Sequence, residues 1–201
     1  MRITVHCIRH AETDWNRERR FLGQTNRGLN ALGHSQAAAL GRRAAAMPFA
    51  ALYASDLDRA LDTARAIAER HPAQLLVQAD ARLREINAGR CEGLRADEIL
   101  LRFPEWCRES AQNTFATPFP DGESLIEVQG RAAAALNDIA ARHPEGSDVA
   151  VVTHGGVILA LLVHVLGIPH DRRDQVALDN CRITAIAWGG SAPPVVLTVN
   201  A

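Results

Sequence analysis

Several features of other chemistries are missing from these 201 residues. The four cysteines, Cys7, Cys91, Cys107 and Cys181, are scattered and form no C-x-x-C pair. That argues against a zinc site or a redox couple. None has arginine six positions later, so the C-x5-R loop of a cysteine phosphatase is excluded. The clustered Asp and His of a metal phosphatase are also missing. No apolar run approaches the roughly 18 residues of a membrane span. "MRITVHCIRH" turns polar too soon for a secretory signal. Free thiols without an export signal lead us to expect a cytoplasmic protein. A net charge of −1 gives no reason to expect a nucleic acid or an anionic membrane as partner.

What is present suits a globular protein. Apolar residues make up 47% and charged residues 22%, ordinary values for a folded chain. The length suits one domain over residues 1–201 with a real core. A short β-branched run at residues 2–8 reads as a strand. "LNALGHSQAAALGRRAAAM" predicts a helix over 31–47, and "FAALYAS" a second strand. The next helix, "LDRALDTARAIAER", would be capped by Ser55 or Asp56. "AQLLVQAD" predicts a third strand, and one or two helices are expected around "ADEILLRFPEWCRES" within the irregular stretch 84–122. Ser124 and Glu127 have the spacing of a capping box at the head of a long helix. "SDVAVVTH" reads as a buried strand and "GGVILALLVHVLG" as a buried helix, and "RITAIAW" and "PVVLTV" close the sheet. Strands alternating with helices give an α/β class with a mainly parallel sheet.

In such sheets ligands sit beyond the carboxyl ends of the strands. Those places hold "RHAET", "SDLDR", "LREINAG" and "THGG". They gather two imidazoles (His10, His154), two guanidiniums (Arg9, Arg59) and one carboxyl group (Glu85). Guanidiniums match phosphate oxygens in bidentate geometry, and the backbone N–H groups of "THGG", with Gly155, would open a helix as an anion site. Phosphoryl transfer needs an in-line nucleophile, charge neutralisation and a proton for the leaving oxygen. Neighbouring arginines keep an imidazole neutral, so His10 can attack. Glu85 would hold and give the proton. Glu12 and Glu92 are rival carboxylates, and Glu12 is expected to partner an arginine. No metal or other cofactor is required, because arginine and histidine supply the positive charge.

"RHAET" with Asn16, "YASDLDRALDTA", "LREINAGRCEGL", "PDGES" and "VVTHGGVI" together resemble the signature blocks of the histidine phosphatase superfamily, which includes the cofactor-dependent phosphoglycerate mutases. The blocks stand in family order from residue 3 to about 160, and "DNCRIT" resembles the family's late segment. The resemblance implies that His10 is phosphorylated, that Arg9, Arg59, His154 and Asn16 contact phosphate, and that Glu85 is the proton donor. It implies backbone contacts to substrate at Leu22 and Gly23. It further implies a three-layer α/β/α fold whose site is covered by an insertion at roughly residues 95–122.

Ala11 departs from the family's usual glycine, and a negative φ is expected there so that its Cβ is tolerated. "GQTNRGLN" lacks a proline common in relatives, and Cys91 replaces an aromatic residue. The remaining histidines, His6, His34, His71, His143, His164 and His170, are read as structural, His164 as a core residue. Trp15, Trp106 and Trp188 are read as packing, with Trp106 within reach of a substrate. The expected activity is hydrolysis of a small phosphorylated metabolite. Mutase-type transfer and a non-catalytic phospho-ligand binder are the alternatives, and a homodimer stays open. The chain is shorter than typical family mutases, and "LREINAGRCEG" resembles the phosphatase branch, which favours hydrolysis.

Overall fold

A computed structural model describes residues 1–168 and 176–201; His170 lies outside them. The described residues form a six-stranded sheet in the order β3-β2-β4-β1-β5-β6. Its members are β1 (Arg2–Arg9), β2 (Phe49–Ala54), β3 (Val77–Ala79), β4 (Asp148–Thr153), β5 (Ile183–Gly189) and β6 (Val195–Thr198). The first four run parallel, and β5 and β6 join antiparallel at one side. β4 is a continuous apolar run because it is covered on both faces. Val149 and Val151 face one helical layer, and Ala150 and Val152 the other.

One layer is α2 (Ala31–Ala44) with α3 (Asp58–Ala68), seated on Ile8 and Leu52 through Leu40, Ala60 and Ile67. The opposite layer is α6 (Leu125–Arg142) with α7 (Gly155–Leu166). On α6 the residues Leu125, Val128, Ala132, Ala135, Leu136 and Ile139 form a buried stripe at helical spacing. The capping box of Ser124 and Glu127 opens this helix as expected. α7 ends at Gly167, whose φ of 61° is the left-handed cap that glycine adopts without strain. Three short helices complete the set: α1 (Asp14–Arg17), α4 (Ala96–Arg102) and α5 (Pro104–Gln112).

Four expectations are corrected. β3 spans three residues rather than eight, since only Val77–Ala79 reach the edge of β2. Neither Ser55 nor Asp56 caps α3. The N-cap is Leu57, without a side-chain cap bond, and Asp56 instead binds Arg84 at 2.6 Å. Among the described residues Glu12 meets no arginine; its carboxylate accepts from Asn30 Nδ2 at 2.9 Å. His164 is exposed rather than part of the core, and pairs with Gln129 at 3.0 Å.

Candidate active site

The pairing of β1 with β4 sets the centre. Arg9 stands in register with Thr153, and the His10 N–H donates to the Thr153 carbonyl at 2.9 Å. His10 and His154 therefore leave the sheet side by side, with ring centroids 5.1 Å apart. Both are buried. His10 Nδ1 lies 2.7 Å from the Ala11 carbonyl oxygen, which can only accept, so Nδ1 carries the proton and Nε2 keeps its lone pair. Asn180 Nδ2 donates to the His10 carbonyl at 2.7 Å. Burial, then the charges of Arg59 and Arg9, hold the His10 pKa well below the ordinary 6.5. Burial and Arg59 do the same to His154.

Arg59 comes from the first turn of α3 and is fully buried. Its guanidinium donates to the carbonyls of Thr25 at 3.0 Å and Gly23 at 2.7 Å. Gly23 turns with a φ of 51°, and a Cβ there would meet the Glu92 carboxylate at 2.0 Å. Burial pulls the Arg59 pKa down to about 10, which leaves it charged at neutral pH. Arg9 donates to the Leu178 carbonyl and lies alongside Gly155, whose Cβ would sit 3.5 Å from Arg9 Nε. The Nε atoms of Arg9 and Arg59 and both ring nitrogens of His154 are buried without a hydrogen-bond partner among the described residues. Such groups are costly to bury unsatisfied. The two guanidiniums are charged and the neutral His154 ring adds one N–H, so together they suit an anion.

The Glu85 carboxylate sits at the N-terminus of α7 and accepts from the N–H groups of Gly156 at 3.2 Å and Ile86 at 2.9 Å. Its loop is held by Arg131 of α6, which donates to the carbonyls of Arg82, Arg84 and Glu85 and pairs with Glu123 at 3.0 Å. The rival Glu92 is engaged elsewhere. Its oxygens accept from the N–H groups of Gln24 at 2.8 Å, Thr25 at 2.9 Å and Ala88 at 3.2 Å, and from the Thr25 hydroxyl. It is a clamp on the loop that holds Arg59.

Asn16 combines two tasks. Its Oδ1 accepts from the Thr13 backbone and hydroxyl, both at 3.1 Å, to cap the N-terminus of α1, while the residue also lines the cleft. Arg9, His10, Asn16, Leu22, Gly23 and Glu85 line one cavity of about 280 Å³. Gly156, rather than Gly155, lines it with them; Gly155 contacts Arg9. Sequence reasoning missed Arg19, Arg20, Phe21 and Ile86 as cleft residues, and Arg131 and Asn180 as supports. The quoted blocks held Ile86 and Asn180, but nothing in their spacing marked a role. Ala11 is absent from the described residues with positive φ, and its N–H donates to Thr63 at 3.0 Å. The alanine is therefore accommodated as expected.

A family model for the histidine phosphatase superfamily (branch 1) matches residues 5–201. The chain belongs to that superfamily. A curated relative from Enterobacter sp. (strain 638), named probable phosphoglycerate mutase GpmB, is 36% identical over 186 residues, covering 92% of this chain and 85% of its own. Among solved structures, Bacillus stearothermophilus YhfR matches with a TM-score of 0.86 and 33% identity, over 97% of this chain and 95% of that one. A mycobacterial glucosyl-3-phosphoglycerate phosphatase in complex with VO3 matches with a TM-score of 0.86 and 30% identity, over 98% and 99%. This histidine phosphatase thus has the α/β fold of its superfamily and is an enzyme of the phosphatase type. Among its described residues, no helix is long and apolar enough to cross a membrane.

Proposed function

We propose that this histidine phosphatase is a phosphomonoesterase working through a phosphohistidine at His10, with no metal in the step. The observation that carries the reading is the tautomer of His10, whose protonated Nδ1 leaves an unprotonated Nε2 among Arg9, Arg59 and His154. Nε2 attacks phosphorus as the bond to the ester oxygen breaks, and that oxygen takes a proton from the Glu85 carboxyl group. Water then gives a proton to the Glu85 carboxylate and attacks the phosphohistidine, releasing phosphate and neutral His10. Arg9 and Arg59 neutralise charge on the phosphoryl oxygens and the neutral His154 ring gives them a hydrogen bond, with Asn16, Leu22 and Gly23 as further contacts to the substrate. Brief mixing with phenyl phosphate and EDTA, an alkali quench and mass spectrometry should find one phosphoryl group on His10. His10→Ala should abolish turnover while remaining folded. Turnover that survives in this variant would overturn the mechanism.

A second reading is favoured by the relative named phosphoglycerate mutase. It requires conversion of 3- to 2-phosphoglycerate stimulated by 2,3-bisphosphoglycerate. Glu85→Gln separates the steps of the first reading. It should slow alkyl phosphates far more than activated aryl phosphates, whose leaving groups need no proton.

A further inference from the structure

One guanidinium fixes both peptide units of Glu85. Arg131 Nη1 donates to the Arg84 carbonyl, just before Glu85, at 2.6 Å, and Nη2 donates to the Glu85 carbonyl, just after it, at 2.9 Å. Nη1 also reaches the Arg82 carbonyl at 2.8 Å. The remaining N–H groups, on Nε and Nη2, meet the two Glu123 oxygens, each at 3.0 Å. All five guanidinium donors are therefore used. Glu123 in turn brackets Asn87. It accepts from the Asn87 N–H at 2.8 Å, and its own N–H donates to the Asn87 carbonyl at 2.8 Å. The loop is thus held at residues 82, 84, 85 and 87.

The hold has a rigid base. Arg131 lies within α6, and Glu123 directly precedes the Ser124 cap of that helix. Neither side chain lines the phosphate cleft, so any effect on the reaction passes through Glu85. The Glu85 carboxylate itself is held by two backbone N–H groups, those of Gly156 and Ile86. Where it stands in the cleft therefore follows where its backbone is placed. Gln24 extends the same lattice towards Arg59. Its Nε2 donates to the Glu85 carbonyl at 3.1 Å, while the adjoining carbonyls of Gly23 and Thr25 receive the Arg59 guanidinium. The carboxyl group and the buried guanidinium are thereby set at a fixed separation through backbone on both sides of the cleft.

Resting on the phosphomonoesterase reading, we infer that Arg131, anchored by Glu123, is a positioning residue for proton transfer: it sets the Glu85 carboxyl group against the ester oxygen without touching substrate. The five-donor fork does this, not the charge alone. A lysine keeps the charge but places one nitrogen where the fork spans five acceptors.

The test follows first-turnover alcohol release from butyl phosphate and from 4-nitrophenyl phosphate in Arg131→Lys, Glu85→Gln and the double variant, each shown to be folded by thermal unfolding. Glu85→Gln sets the reference, with butyl phosphate about a hundredfold slower and the activated ester far less affected. Arg131→Lys should slow butyl phosphate about tenfold or more, because a small misplacement of a reacting group is costly. It should leave 4-nitrophenyl phosphate release and the Kd of inorganic phosphate within about twofold of wild type. In the double variant the lysine should add nothing to the Glu85→Gln loss on butyl phosphate. Glu123→Gln, which removes the anchor instead, should give the same split between esters. Equal losses on both esters, weakened phosphate binding, or additive losses in the double variant would overturn the inference. If Glu85→Gln shows the split and Arg131→Lys does not, the positioning role falls and the hydrolytic reading stands. If Glu85→Gln shows no split, the acid role and the inference fail together.

Discussion

The two buried imidazoles make stability depend on pH in a defined window. In the fold His10 and His154 resist protonation, whereas in the unfolded chain they titrate near the ordinary 6.5. The unfolded state therefore binds more protons below that value. The folded state's advantage is fully present above pH 6.5 and is lost as pH falls below it. For a ring that stays neutral in the fold, going from pH 7 to 5.5 costs about 1.2 kcal/mol, so the pair costs about 2.5 kcal/mol. That is a large fraction of a typical domain stability of about 5–15 kcal/mol. Carboxylates whose pKa is held down by arginine, such as Asp56 by Arg84 and Asp80 by Arg82, act only at more acidic pH. Urea unfolding at pH 7 and 5.5 should show this loss in wild type and a much smaller loss in His10→Gln/His154→Gln. Added phosphate should narrow the wild-type difference, because a bound dianion gives a protonated imidazole a partner. Equal stability at the two pH values, or the same loss in the double variant, would refute the reasoning.

Three further outcomes are expected. Glu92→Gln sets an amide N–H against a cluster of backbone donors and should cost about 1–3 kcal/mol in thermal unfolding. Gly156→Ala puts a Cβ where the Glu85 oxygen lies 2.3 Å away; it should cut kcat/KM for alkyl phosphates at least tenfold (roughly 1.4 kcal/mol), with a smaller loss on aryl phosphates. Ala11→Gly should destabilise by about 1 kcal/mol without raising activity, since φ there is not positive and a buried methyl is lost.

Where local chemistry and tertiary demand agree, the chain is readable. β1, β4 and α6 emerged from apolar runs and a capping box because burial on the sheet reinforces their local preference. The centre was readable because His10, Arg59, Glu85 and His154 all follow strand ends, where topology gathers them. Strand β3 was overextended because only Val77–Ala79 reach β2; the side-chain errors share one cause, a side chain drawn away by a distant partner. Asp56 leaves the α3 cap for Arg84, twenty-eight positions on, and His164 turns outward to Gln129 of α6. Glu12 faces Asn30, eighteen residues away. No local pattern encodes these choices. Arg131 was unreadable for the same reason, since its three carbonyl acceptors belong to a loop about forty-six positions earlier.

The backbone of His10 is pinned on both sides, by Thr153 of β4 at its N–H and by Asn180 at its carbonyl. None of those pins comes from the α4–α5 segment. Residues 96–112 can therefore drift in sequence while the backbone of His10 keeps its place in the sheet.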